Sequence, residues 1–232
     1  GYTDDRIILI VEDDIADNVS NPNKGVIQVT VGGNNVYENV EIDYRMSSLK
    51  AKDILAILNG EKSETLPTVI ESTENDNLFV FWSGHGVPGA MCWDEEPYAM
   101  TGDDLSTVFK DMNLKRRYRK LLMMVEACFS GGVMEQCEGI PGMLFITAAN
   151  GDETSKADVF NGEMKVWMSN RFTSTFIEQI TDNKDVAMRD LYYRLFINTV
   201  GSHVMVYNAE NYGNLYSADM SEFINFKNDK SK

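Results

Sequence analysis

The apolar positions of this chain fall into short unbroken runs separated by polar, turn-rich stretches. The clearest run covers residues 121–125 (Leu-Leu-Met-Met-Val) and ends in Glu126-Ala127-Cys128, followed by Phe129-Ser130-Gly131-Gly132. A run of this kind, too short to span a bilayer, predicts a strand buried on both faces, as in a parallel sheet. Residues 78–82 (Leu-Phe-Val-Phe-Trp) repeat the pattern and break at Ser83-Gly84-His85-Gly86. Residues 6–11 predict another buried strand, ending in Glu12-Asp13-Asp14, and residues 143–148 a further one. Residues 101–112 predict a helix, with Thr101 as its cap and Asp103 and Asp104 placed favourably against the helix dipole. Residues 48–58 predict an amphipathic helix, with Ser47 or Ser48 as cap and Gly60 as stop. Residues 171–180 and 186–200 predict two more helices, and residues 202–207 a last strand. Two small hairpins are expected beside the main sheet, one from residues 26–30 and 36–40 around Gly32-Gly33-Asn34-Asn35, the other within residues 90–100.

Strands joined by a helical crossover run parallel and point their carboxyl ends the same way. The pattern therefore predicts an α/β fold with a mostly parallel central sheet and helices on both faces. His85 and Cys128 should emerge on one sheet edge, where open α/β proteins place their sites. Residues 149–155 should open onto the same edge.

Composition narrows the function. The chain has 232 residues, 43% of them hydrophobic, and no internal repeat or linker that would divide it, so one domain over residues 1–232 is expected. A net charge of -15 argues against nucleic acid and against anionic membrane surfaces as partners. No apolar run approaches the roughly 20 residues of a transmembrane span. The basic run at residues 115–120 reads as a solvated lead-in to the following strand, and Glu12-Asp13-Asp14 as a capped turn, since its spacing does not match a calcium loop. Asn18-Val19-Ser20 is a glycosylation sequon that matters only in a secreted eukaryotic chain. Of the three cysteines, Cys92 and Cys137 are either a pair or two free thiols. The cysteines and His85 lack the paired short spacings of a zinc site, so no metal or other cofactor is expected. His203, in an alternating stretch, reads as a hydrogen-bonded structural residue.

A thiol attacks a carbonyl as thiolate, which requires a base or a lowered pKa. Cys128 at a strand end beside a glycine-rich turn suits the nucleophile, and His85 suits the general acid/base. Gly86 lets the backbone approach a substrate, and its N–H with that of Cys128 forms a candidate oxyanion hole.

An apolar strand ending in His85-Gly86, followed by one ending in Glu126-Ala127-Cys128, resembles the signature of the caspase–haemoglobinase fold. Within it the chain is similar to the legumain family of asparaginyl endopeptidases and the catalytic subunit of the glycosylphosphatidylinositol-anchor transamidase. Asp13-Asp14-Ile15-Ala16, Thr147-Ala148-Ala149-Asn150, Glu153-Thr154-Ser155 and Ser202-His203-Val204-Met205 support it in that order along the chain. The resemblance implies a cysteine endopeptidase with His85 and Cys128 as its dyad, Gly86 and Cys128 as oxyanion donors, and Glu126 and Ser155 lining the pocket for the residue before the cleaved bond. It also implies a peptide or protein substrate and a secreted, periplasmic or lysosome-like location. The alternatives are a transamidase or ligase using the same dyad and a non-catalytic peptide-binding homologue.

The chain departs from the family pattern in three ways. The family's first strand and helix, which carry an Asn near the dyad and an Arg-His pair in the pocket, would precede Gly1, so the expectation is that a separate N-terminal piece completes the sheet or that this chain is a fragment. The residue before His85 is Gly84 where legumains have an acidic residue. The position of a pocket aspartate falls near Val166, which leaves a preference for Asn open against Lys or Arg.

Overall fold

The computed structural model describes residues 2–12, 15–30, 32–93, 99–182 and 185–224. In chain order its elements are β1 (Ile10–Val11), β2 (Tyr44–Arg45), α1 (Ala51–Asn59), β3 (Asn77–Ser83), β4 (Gly86–Val87), β5 (Ala90–Cys92), β6 (Ala99–Thr101) and α2 (Gly102–Leu114). There follow β7 (Lys120–Glu126), α3 (Ser130–Met134), β8 (Met143–Thr147), β9 (Ala157–Asn161), β10 (Val166–Asn170), α4 (Arg171–Asp182), α5 (Met188–Asn198), β11 (Met205–Tyr207) and α6 (Ala209–Tyr212).

The main sheet has the order β11-β8-β7-β3. β3, β7 and β8 are mutually parallel, and β11 closes the far side antiparallel. β7 is the strand on which the packing turns, because successive side chains of a strand point to opposite faces. Leu121, Met123 and Val125 pack with Leu105, Phe109 and Met112 of α2 and Ile54 and Leu58 of α1. Leu122 and Met124 pack on the other face with Phe172 and Phe176 of α4 and Leu191 and Leu195 of α5. A strand buried on both faces cannot alternate apolar with polar residues, which explains the unbroken run. Thr101 caps α2, accepting from the Asp104 N–H at 3.2 Å, while Asp104 accepts from the Thr101 N–H at 3.0 Å. Gly60 ends α1 in the left-handed conformation, φ 69°.

Several expectations need correction. Residues 6–11 do not form a buried strand: only Ile10–Val11 is extended into a ladder, paired in parallel with β2, and Ile7 is 44% exposed. The β3 run is only partly buried, with Phe81 at 36% exposure, because among the described residues β3 has β7 on one side and no strand on the other. Residues 26–30 and 36–40 form no hairpin. One bond, from the Val36 N–H to the Ile27 carbonyl, joins them, and the Asn35 side chain takes the Ile27 N–H, offering the backbone a local alternative to a ladder. α1 begins three residues after Ser48, because Met46–Ser48 forms a separate tight turn and Asp53 accepts from the Lys50 N–H. α5 is shorter than expected, Met188–Asn198, and the last strand starts at Met205. The β9–β10 hairpin was not foreseen, although Asn161-Gly162 signals it; the Asn161 side chain accepts from the N–H groups of Glu163 and Met164. The expected hairpin within residues 90–100 is present as β5 and β6.

Leu122 lies fully buried in β7 between β3 and β8. Leu122→Ala is expected to cost about 3 kcal/mol, read as a lower urea midpoint with an unchanged m-value.

Candidate active site

The pairing of β3 with β7 sets which residues leave the sheet together. Ser83 stands opposite Glu126, and the Gly84 N–H donates to the Glu126 carbonyl at 3.0 Å. His85 is the next residue on one chain and Cys128 lies two beyond Glu126 on the other, so both emerge at the same carboxyl edge. The close approach continues past the strands. A Cβ added at Gly86 would stand 2.1 Å from the Cys128 carbonyl oxygen, so only glycine lets the two backbones touch there. The Cys92 N–H donates to the His85 carbonyl at 3.0 Å, while Gly86 faces Met91. Antiparallel pairs alternate between bonded and unbonded positions, so the Gly86 N–H takes no part in the β4–β5 ladder. The His85 residue is exposed and Cys128 is half-buried.

The turn that follows Cys128 is shaped by the loop after β8. Phe129 adopts the left-handed conformation, φ 56°, which is uncommon for a bulky residue. Its N–H donates to the Glu153 carbonyl at 2.8 Å, and the Gly131 N–H donates to the Ala149 carbonyl at 3.1 Å. Gly131 passes so close to Asn150 that a Cβ would lie 2.8 Å from the Asn150 Cα. These contacts bring Ser155 to the sulfur: Cys128 Sγ and Ser155 Oγ are 3.9 Å apart.

Glu126, two residues before Cys128, is 1% exposed. Its Oε2 accepts from the Thr173 N–H at 3.2 Å and the Thr173 hydroxyl at 3.3 Å, near the start of α4. Oε1 is buried and makes no hydrogen bond of good geometry. Burial pushes the carboxyl above the ordinary Glu range, and the hydroxyl of Ser155 and the two Thr173 donors offset this only in part.

The remaining candidates lie elsewhere. Cys92 and Cys137 are free thiols. Cys137 is buried, its Sγ pointing at the Gly102 and Val133 carbonyls, and burial pushes that thiol up to about 12. Among the described residues no group of His, Cys, Asp and Glu could hold a metal ion. Val166 opens β10, and Asp13 and Asp14 lie outside the described residues. His203 is paired with Glu153, its Nδ1 2.9 Å from Oε2. An apolar hollow of about 220 Å³ lies between Leu9, Ile15, Tyr37 and Val40, away from the His85–Cys128 rim; donor and acceptor chemistry, not the size of a hollow, makes the rim the candidate site. Sequence reasoning missed Thr173 and the structural part played by Glu153. Thr173 is signalled only by its place in the first turn of a helix, where a free backbone N–H meets an anion.

The raised pKa of Glu126 has a definite sign. A carboxyl whose folded value lies above its unfolded value stabilises the fold at low pH, and that contribution is lost as pH rises from the unfolded value through the folded one. Glu126→Gln should therefore gain stability over wild type at about pH 7, and the gain should vanish at about pH 4, measured by urea unfolding at both.

Comparison with known proteins gives the family and the fold. The family model described as the Peptidase C13 family matches residues 1–223. Legumain of Rattus norvegicus is 29% identical over 214 residues, covering 89% of this chain and 48% of that protein. Legumain of Homo sapiens is 28% identical over the same length, and the vacuolar-processing enzyme of Vicia sativa is 35% identical over 161 residues, 67% of this chain and 32% of that protein. The chain thus spans about half the length of the legumains it matches. Among solved structures, caspase-1 from Spodoptera frugiperda shares the fold, with a TM-score of 0.50 at 11% identity, over 77% of this chain and 73% of that one. A caspase-like α/β sheet carrying a family match over nearly its whole length leaves one assignment: the chain belongs to the Peptidase C13 family.

Proposed function

We propose that this chain is a cysteine endopeptidase of the legumain type acting through Cys128 and His85. The observation that carries the reading is the contact of Gly86 with the Cys128 carbonyl, which brings the strand end bearing the imidazole against the strand end bearing the thiol. In this mechanism His85 takes the Sγ proton and the sulfur attacks the scissile carbonyl carbon. The oxyanion that forms is held by the N–H groups of Gly86 and Cys128. As the C–N bond breaks, the imidazolium returns its proton to the leaving amine, leaving a thioester on Cys128. His85 then takes a proton from water as hydroxide adds to the thioester carbonyl; the C–S bond breaks, the product leaves as its carboxylic acid, and the imidazolium returns its proton to the sulfur. An amine replacing that water would make the same thioester a ligation or transamidation intermediate.

Glu126 and Ser155 are assigned to the pocket for the residue before the cleaved bond. With Glu126 protonated, its carboxyl both donates and accepts, which suits an Asn amide; ionised, it suits Lys or Arg. The proposed substrate is a peptide or protein, and the names of the vacuolar-processing relatives make a vacuole-like or lysosome-like compartment the location we favour. Among the described residues no helix is long and apolar enough to cross a membrane.

A second partner is suggested by the outer edge of β3, which among the described residues pairs with no strand. We infer that a further polypeptide strand pairs along this edge and completes the sheet. A native mass spectrum of the active protein should carry that polypeptide; full activity from a species holding only residues 1–232 would contradict the inference.

The dyad is tested with a thiol-directed peptide probe and a panel of peptides varied at the residue before the cleaved bond. Labelling is expected at Cys128 in wild type and should be lost in His85→Ala. Cleavage should follow Asn at low pH, with Lys or Arg gaining as Glu126 ionises. Absence of labelling in wild type under every condition would dismiss the peptidase reading.

A further inference from the structure

We propose that Glu153 is a positioning residue for the nucleophile: its backbone holds the turn after Cys128, and its carboxylate, gripped by His203 and Asn150, holds that backbone in place. The inference rests on the assignment of Cys128 as nucleophile and adds a residue to which no role in the reaction has yet been given.

Glu153 works in two directions. Toward the nucleophile, its carbonyl accepts the Phe129 N–H at 2.8 Å. Phe129 is the residue directly after Cys128 and sits in a left-handed conformation that its side chain does not favour, so an external bond is needed to keep it there. Two residues further on, Ser155 carries the hydroxyl that faces Cys128 Sγ. A shift of Glu153 would therefore move both the turn that aims the sulfur and the hydroxyl beside it.

Away from the nucleophile, the carboxylate collects donors from two segments of chain. Oε1 accepts from the His203 N–H at 2.6 Å and from the Asn150 N–H at 3.2 Å, and Oε2 lies 2.9 Å from His203 Nδ1. The anchor on the far side is firm, because Ser202, next to His203, is buried and donates its hydroxyl to the Ala148 carbonyl at 2.7 Å. Burial of the Glu153 carboxyl opposes ionisation, but the His203 ring, the His203 N–H and the Asn150 N–H outweigh it and hold the group below the ordinary Glu range. An exposed ion pair alone would contribute little, and the His203 ring is largely exposed. The two backbone donors on a mostly covered carboxylate are what make the grip geometric. Loop 148–155 is thus clamped between the Cys128 turn and the segment that leads into β11.

The test compares Glu153→Ala, Glu153→Gln and wild type by steady-state hydrolysis of a fluorogenic peptide and by hydrogen exchange at the Phe129 amide, with thermal melting as the control for folding. Glu153→Ala is expected to lower kcat about tenfold with KM changed by less than about twofold, and to speed exchange at Phe129. Glu153→Gln keeps a side-chain oxygen for the two backbone donors and should recover to within about threefold of wild type. The proposal is overturned if Glu153→Ala matches wild type in kcat and in Phe129 exchange, or if both variants lose activity equally with equal falls in melting temperature. If wild type hydrolyses no peptide, the peptidase reading fails, and exchange at Phe129 still decides whether Glu153 holds the turn.

Discussion

The structure depends on a close backbone contact, Gly86 against the carbonyl of Cys128. Parallel pairing of β3 with β7 carries the two chains to the sheet edge in register, and the Gly84 N–H to Glu126 carbonyl bond extends that register one residue beyond the strands. From there the chains can stay together only if one of them lacks a Cβ. The rest of the fold serves this meeting point. α1 and α2 on one face and α4 and α5 on the other hold residues 121–125 of β7 fully buried, which gives the turn at Cys128 a rigid base.

Rigidity at the base is combined with strain and unmet polarity at the edge. Phe129 is held left-handed, and one oxygen of Glu126 is buried without a hydrogen bond of good geometry. Each feature is unfavourable to folding and is tolerated because the surrounding sheet over-determines it. Both lie within a few residues of the same sulfur.

Much of this was legible in the sequence because burial on both faces leaves a simple mark. The unbroken Leu121–Val125 run located the central strand, and Thr101 with Asp104 located the helix that precedes it. The placement of His85 and Cys128 on one edge follows from two strands and a crossover, with no finer information. The sequence misled where tertiary context overrides local pattern. Residues 6–11 look like a core strand, yet Ile7 to Val11 are only half covered, because their hydrophobicity does not state which neighbour they meet. Val26 to Val40 look like a hairpin, yet Asn35 captures the Ile27 N–H. Thr173 and Glu153 left little mark in the sequence because their contacts rest on backbone N–H groups that meet carboxylates distant in sequence.

The central claim is that the imidazole of His85 and the thiol of Cys128 act on one another across the Gly86 contact. The most direct measurement is the rate at which a small, undirected reagent such as iodoacetamide alkylates Cys128, followed residue by residue by mass spectrometry in wild type and in His85→Ala. The account predicts that His85→Ala slows alkylation of Cys128 by about tenfold at neutral pH while leaving that of Cys92 unchanged. An equal rate at Cys128 in the two proteins would contradict it.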